Sequence, residues 1–156
     1  MAKKKSVVTP KSAPANPFAL AAVVAGRVEL MDVRILTCGA SQREGSAGKL
    51  VASNDHEVDV STDPDRGLIL VKPGFHFQAM HDGESDEEPA LSIDCTFILA
   101  YTASELETLS EAEVRAFAEI NGVFNAWPYW REFVQNTAAR MGLPRIVVPV
   151  FRFQDR

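Results

Sequence analysis

The hydrophobic pattern of this chain has a period of two in its first part and a helical period of about 3.6 in its last third. The clearest predicted strand has an apolar residue at every second position and mostly polar residues between them. Its alternating positions are Leu91, Ile93, Cys95, Phe97, Leu99 and Tyr101. Alternate side chains of a strand point to the same side, so these residues are predicted to share one face of a sheet.

Shorter alternations predict further extended segments before this strand. Residues 31–35 alternate apolar and charged side chains and indicate a strand, whereas residues 39–48 are typical of a polar loop. Val58 and Val60 alternate with acidic residues and predict a short extended segment. Residues 63–67 contain a proline and a glycine in an order that favours a turn.

Residues 68–80 predict either two strands or one interrupted strand. Pro73 and Gly74 mark the interruption, because proline cannot donate to a sheet ladder and glycine weakens a strand. Together they indicate a bulge at the edge of the sheet. Residues 82–88 follow as an acidic loop.

The last third predicts a long helix with a break in it. Ser110 and Glu113 have capping-box spacing, and apolar residues recur at helical spacing as far as Met141. Pro128 lies inside this stretch and lacks an N–H, so it is predicted to break or kink the helix. Residues 146–153 predict a final β-like segment at an edge. Strands followed by helices indicate the α+β class.

Length and charge limit the remaining possibilities. The chain has 156 residues, which favours one domain, and its net charge of −5 argues against a nucleic-acid-binding protein. Residues 1–17 are rich in Lys, Pro, Ser and Ala and predict a flexible basic arm, leaving residues 18–156 as a single domain. No apolar run reaches the roughly 18 residues of a membrane span. Prolines separate the first lysines from a short apolar stretch, so we expect no signal peptide and a cytoplasmic location.

No motif for catalysis, a metal or a cofactor is present in the sequence. Cys38 and Cys95 are interpreted as buried free thiols. His56, His76 and His81 match no zinc-site spacing, and residues 82–88 do not fit a calcium loop. We therefore expect no catalytic residue, no metal site and no cofactor.

Aromatic residues are concentrated in the helical region. Their number exceeds what one helix is expected to bury under one small sheet, and large exposed apolar surfaces usually mark an interface or a binding groove. The aromatic residues concerned are Phe117, Phe124, Trp127, Tyr129, Trp130 and Phe133.

The same region carries a resemblance to a known family. The run from Trp127 to Glu132, then Leu143-Pro144-Arg145-Ile146 and Pro149-Val150, resembles the SecB-type export chaperones over roughly residues 27–153. The resemblance implies a four-stranded antiparallel sheet packed by a kinked long helix. It also implies a homotetramer built as a dimer of dimers, without enzymatic activity.

The resemblance implies two sets of site residues. An apolar groove that holds unfolded or precursor polypeptides in extended form is expected at Phe75, Phe77, Phe97, Leu99, Trp127 and Tyr129. An oligomer interface is expected at Phe117, Ala118, Ile120, Asn121 and Phe124.

The resemblance also implies partners. Asp32 matches one acidic position at which the family docks the SecA motor, whereas Leu36 stands at another. The sequence has no counterpart of the helix that usually follows the Pro-Val segment in that family. The expected function is ATP-independent holding of unfolded chains, for export or for a dedicated client. A chaperone dedicated to a toxin–antitoxin pair, and a SecB-fold assembly protein without general chaperone activity, stay open as alternatives.

Overall fold

The computed structural model describes residues 16–44, 49–83 and 88–153. The predicted arm, residues 1–17, lies outside the described residues except for its last two positions. Asn16 caps a short helix, α1 (Pro17–Ala25), by accepting a hydrogen bond from the Phe18 backbone N–H at 3.0 Å. Pro17 is therefore the first residue of α1, where its missing N–H costs nothing.

Four strands follow α1 and form one antiparallel sheet. They are β1 (Val28–Gln42), β2 (Leu50–Asp63), β3 (Leu68–His81) and β4 (Leu91–Ala103), in the spatial order β1-β4-β3-β2. The chain crosses from one edge to the other after β1 and then returns through two hairpins. The predicted four-stranded antiparallel sheet of an α+β protein is confirmed.

The two edge strands are longer than their sequence patterns predict. β1 continues to Gln42, through the first part of the predicted loop at residues 39–48, and β2 has 14 residues instead of a short segment around Val58. Most side chains of both strands are exposed or only half-buried. Since neither strand has a fully buried face, their sequences alternate only over short stretches and not along the whole strand as β4 does.

β3 runs without a break through Pro73 and Gly74. Its register with β2 is continuous, and its pairing with β4 lapses only between Val71 and Gly74 without a shift of register. β3 is a central strand, so the predicted edge position of Pro73 is wrong. The missing proline donor falls on the β4 side, where the ladder opens locally.

One long helical stretch covers the sheet. It begins with α2 (Glu111–Phe117), continues through a π-helical turn (Ala118–Gly122) and ends as α3 (Val123–Arg140). The predicted capping box is present: Ser110 Oγ accepts from the Glu113 N–H at 3.3 Å, and the Ser110 N–H donates to Glu113 Oε2 at 2.7 Å.

Pro128 does not end the helix, so of the two predicted outcomes, a break or a kink, the break is wrong. It lies inside α3, and the departure from α geometry is the π-helical turn upstream. Pro128 removes a single backbone donor, while Trp127 and Trp130 on either side of it are buried against the sheet. Tertiary packing of this kind contributes more to a protein helix than any one backbone hydrogen bond.

The core lies between this helical layer and one face of β3 and β4. On that face every second residue of both strands is buried, from Ile69 to Ala79 and from Leu91 to Tyr101. The predicted shared face of β4 is confirmed. The C-terminal residues 146–153 form no strand but run as an extended segment beside α3.

Candidate functional site

The centre of the molecule is a closed aromatic cluster around Phe75. The Phe75 ring stacks on Trp130 with centroids 5.4 Å apart, and it meets Trp127 at 5.6 Å and Phe97 at 6.0 Å edge to face. Such pairs are worth about 0.5–1.5 kcal/mol beyond their buried area. This cluster fixes α3 over β3 and β4.

Both indole N–H groups of this cluster have partners, which fixes their orientation. Trp130 Nε1 donates to Asn54 Oδ1 of β2 at 2.8 Å, and Trp127 Nε1 donates to the Pro149 carbonyl at 2.8 Å. Arg131 Nε donates to the Val148 carbonyl at 2.9 Å. α3 therefore holds an extended backbone segment through side-chain donors.

Five of the six predicted groove residues are part of the closed centre. Those five are buried against the helical layer: Phe75, Phe77, Phe97, Leu99 and Trp127. The expectation that Phe75 and Phe77 expose their side chains is wrong, because α3 covers this face of β3. Tyr129 alone is exposed, at 47 %, and its ring lies 6.4 Å from that of Phe97.

An open apolar surface lies beside the closed centre, along β1. Ile35 pairs in register with Phe97, and Leu30 pairs with Tyr101, so both side chains lie on the helix-facing side of the sheet. The helix does not cover them, and Ile35 is 47 % exposed. We call Leu30, Ile35 and Tyr129, with Phe97 beneath, the edge groove.

Two register shifts interrupt β1 here, one directly after Leu30 and the other directly after Ile35. They leave Met31 and Leu36 without partners in β4, and both side chains are exposed. Bulges bend and twist a strand locally. Neither bulge is predicted from the sequence, because the alternation of residues 31–35 begins at the first bulge and ends just before the second.

The residues predicted for an oligomer interface divide between core and surface. Phe117 and Ala118 are buried inside the protomer, and the Phe117 ring meets that of Tyr101 at 5.1 Å. Ile120 and Asn121 are half-buried, whereas Phe124 is 54 % exposed. The protomer therefore leaves only the latter three available to a partner.

Exposed phenylalanines from distant parts of the chain meet around Phe124. The Phe153 ring lies 6.3 Å from Phe124 and 5.3 Å from Phe18 of α1, and it also contacts Phe151 at 5.0 Å. We call Phe18, Phe124 and Phe153 the aromatic patch. Sequence reasoning missed Phe18 and Phe153, since nothing in their local pattern indicates that they approach each other.

The opposite face of the sheet mixes polar residues with half-buried apolar ones such as Leu70 and Ile98. Asp32, the predicted motor-docking residue, is exposed there and lies beside Arg34, with Oδ2 and Nε 3.5 Å apart. His76 Nδ1 lies 2.8 Å from Asp94 Oδ1, and Ser92 donates to the other carboxylate oxygen at 3.1 Å. Ser92 does not reach the imidazole through a hydrogen bond of its own, so these groups are not arranged as a nucleophile with its base.

Three further observations concern the pKa of a buried phenol, metal ligands and membrane-spanning helices. Burial raises the pKa of the Tyr101 phenol, and a hydrogen bond from Asn125 at 3.0 Å opposes that rise. No group of three or more His, Cys, Asp or Glu that could hold a metal ion occurs in residues 16–44, 49–83 and 88–153. Within the same ranges no helix is long and apolar enough to cross a membrane.

Comparison with solved structures identifies the fold. The chain is similar to the Mycobacterium tuberculosis Rv1957 SecB-like chaperone, solved in complex with a ChAD peptide from the Rv1956 HigA1 antitoxin. The TM-score is 0.77 at 22 % sequence identity, over 88 % of this chain and 99 % of that one. A Streptococcus agalactiae protein of unknown function gives a TM-score of only 0.39 at 10 % identity, over 78 % of this chain and 96 % of that one.

This protein has the SecB-like fold, as the resemblance of residues 27–153 predicts. No protein-family model and no curated protein matches the sequence. The fold is therefore recognised from the arrangement of the sheet and the long helix.

Proposed function

We propose that this protein is a chaperone that binds non-native polypeptide in extended form without ATP and without catalysing a reaction. The observation that carries the proposal is a set of exposed apolar side chains, those of the edge groove, on β1 and α3 of a SecB-like fold. An unfolded chain has no fixed shape, so its receptor depends on non-directional burial, worth roughly 25 cal/mol per Å².

The edge groove offers both contacts that an extended client needs. Leu30, Ile35 and Tyr129 supply exposed apolar area, and β1 is an edge strand with β4 as its one neighbour in the sheet. A free edge can pair with the backbone of an added strand, while pockets beside it take alternate side chains. The net charge of −5 favours encounter with basic clients.

The second candidate function is that of a chaperone dedicated to a toxin–antitoxin pair. It is favoured by the antitoxin peptide bound to the similar mycobacterial chaperone. A dedicated chaperone selects one client segment, whereas a general one binds many denatured proteins with similar strength. Export clients, and docking of SecA at Asp32, require the general form.

The test is suppression of aggregation of several chemically denatured proteins, with no nucleotide added. Changing Ile35 and Tyr129 to Ser is expected to weaken client binding on the order of tenfold, because it removes two of the three exposed apolar side chains of the edge groove. Val147→Ser is the control, since Val147 is also apolar and exposed, at 62 %, but is not one of the groove residues.

Each outcome decides between the candidates. Binding to one antitoxin-type peptide and to no denatured protein favours the dedicated chaperone. If the unmodified protein binds neither denatured proteins nor peptides at micromolar concentration, the holding function is wrong and an assembly role takes its place.

We further propose a cytoplasmic homotetramer, assembled as a dimer of dimers through Ile120, Asn121 and the aromatic patch. Exposed aromatic rings of this size are typical of interfaces. Phe124→Asp is expected to lower the mass measured by light scattering. A monomeric mass for the unmodified protein would contradict the proposal.

A further inference from the structure

The two cysteines of the sequence lie opposite each other in neighbouring strands. Cys38 of β1 and Cys95 of β4 are direct partners in the antiparallel register. Their side chains therefore lie on the same face of the sheet, the face that carries Phe97 and Ile35. The fold brings this pair together from distant parts of the chain, and both thiols are free in the structure.

The register gives the pair a spacing that suits a disulfide. Directly opposed residues of antiparallel strands have Cα atoms about 4.5 or 5.5 Å apart, and disulfides join Cα atoms about 4.4–6.8 Å apart. To reach the mean disulfide spacing, their Cβ atoms need to approach by about 0.7–1.7 Å. β1 can make this movement, because it is an edge strand with a bulge at Leu36 close by.

The two thiols differ in their access to solvent. Cys38 is exposed, so its interpretation as a buried thiol is wrong, whereas Cys95 is buried in the core as expected. Burial raises the pKa of the Cys95 thiol to about 12, and the nearby Cys38 adds to that rise. The thiolate is the reactive form and must meet its oxidant, so Cys38 attacks first and Cys95 resolves.

We propose that Cys38 and Cys95 are a redox modification site that forms a reversible cross-strand disulfide with a small-molecule disulfide as oxidant. In the first step the Cys38 thiolate attacks one sulfur of glutathione disulfide. The bond between the two glutathione sulfurs breaks, one glutathione leaves as thiolate, and the other stays bound to Cys38.

In the second step Cys95 loses its proton and its sulfur attacks the Cys38 sulfur, displacing the second glutathione. The protein thiols lose two electrons, and the glutathione disulfide gains them. The two thiol protons end on the two released glutathione molecules. The product ties β1 covalently to β4, one pair of side chains away from Ile35 and Phe97 in the edge groove.

The test uses the reduced full-length protein, incubated with glutathione disulfide and analysed by intact mass after the remaining thiols are alkylated. We expect loss of both thiols, a mass lower by two hydrogen atoms, no retained glutathione and full reversal by dithiothreitol. The midpoint of thermal unfolding should rise on the order of 10 °C, because the bond closes a long loop of the unfolded chain. Amide exchange along β1 should slow.

Single variants assign the order of the two steps. Cys95→Ser is expected to stop at a stable glutathione adduct on Cys38. Cys38→Ser is expected to leave Cys95 unmodified until denaturant is added. If the unmodified protein keeps both thiols, retains glutathione or joins two chains through a disulfide, the proposal is wrong.

The effect on clients rests on the function proposed above, whereas the disulfide does not. Since the bond fixes one wall of the edge groove, client affinity should differ between the oxidised and reduced forms. A disulfide that forms without changing client affinity would contradict the expectation that oxidation changes client binding. Failure of the reduced protein to bind clients contradicts the proposed function. It does not affect the proposed disulfide, which is tested separately by intact mass.

Discussion

β4 and β1 are neighbouring strands with opposite environments. At one rung of their ladder Phe97 of β4 is 3 % exposed and Ile35 of β1 is 47 % exposed, although both side chains lie on the same face. The difference comes from α3, whose aromatic side chains rest on β3 and β4 and leave the β1 end open. A shared face therefore does not imply shared burial.

The comparison assigns stability to the closed centre and the proposed client binding to the edge groove. The closed centre around Phe75 joins stacked rings with satisfied indole donors, which makes it a rigid support. The edge groove exposes apolar side chains on a strand with one neighbour. A client can cover such a surface without disturbing the folded core. The proposed chaperone function needs both, since a receptor must stay folded while it holds an unfolded chain.

The largest difference is expected when Phe97 and Ile35, which pair in the sheet, are each replaced by alanine in separate variants. Phe97→Ala should lower the free energy of unfolding by about 3–5 kcal/mol, because it leaves a cavity beneath Tyr129. Ile35→Ala should lower it by less than about 1 kcal/mol, since half of that side chain is already in water. Urea unfolding of both variants measures the difference. Equal losses would show that β1 is as closed as β4.

A smaller effect is expected where the π-helical turn meets β3. A Cβ at Gly122 would lie 2.6 Å from Val71 Cγ1, so Gly122→Ala should lower the free energy of unfolding by about 1–3 kcal/mol. In a Val71→Ala background, where the clashing methyl group is absent, Gly122→Ala should cost less than it does in the unmodified protein.

Gly39→Ala is the matched control for this prediction. Gly39 lies at the open β1 end, where a Cβ would meet no atom within 4 Å, and we expect a change within about 0.5 kcal/mol. If Gly122→Ala is equally neutral in urea unfolding, the helix is not held as closely to β3 as the structure indicates.

The smallest effect on stability is expected at the exposed start of α2, where the long helical stretch begins. Hydrogen bonds from the Ser110 backbone N–H and hydroxyl lower the pKa of Glu113. A carboxyl whose pKa is lower in the folded state stabilises the fold fully above its unfolded pKa, and this contribution is lost as the pH falls through the folded value.

The measurement compares the unmodified protein with Glu113→Gln in urea unfolding across acidic pH. The unmodified protein should be more stable at neutral pH, and the two should converge as the pH falls below the ordinary range of a carboxyl. A difference that stays constant with pH would mean that the capping box contributes through its neutral hydrogen bonds alone.

The sequence by itself determined the regular, buried parts of this protein. The strict alternation from Leu91 to Tyr101 required a half-buried strand, and the Ser110–Glu113 pair marked a helix start, because both depend on neighbours within a few residues. The aromatic-Pro-Tyr motif at 127–132 added the resemblance through which the SecB-like fold was predicted.

Only the tertiary structure decided which apolar side chains stay open. Phe75 and Ile35 have equally plausible strand contexts, yet α3 covers the first and leaves the second exposed. The same holds for Cys38 and Cys95, whose pairing depends on strand order and register. Burial and long-range pairing arise from the packing of whole elements, and a local pattern carries no information about which element lies above it.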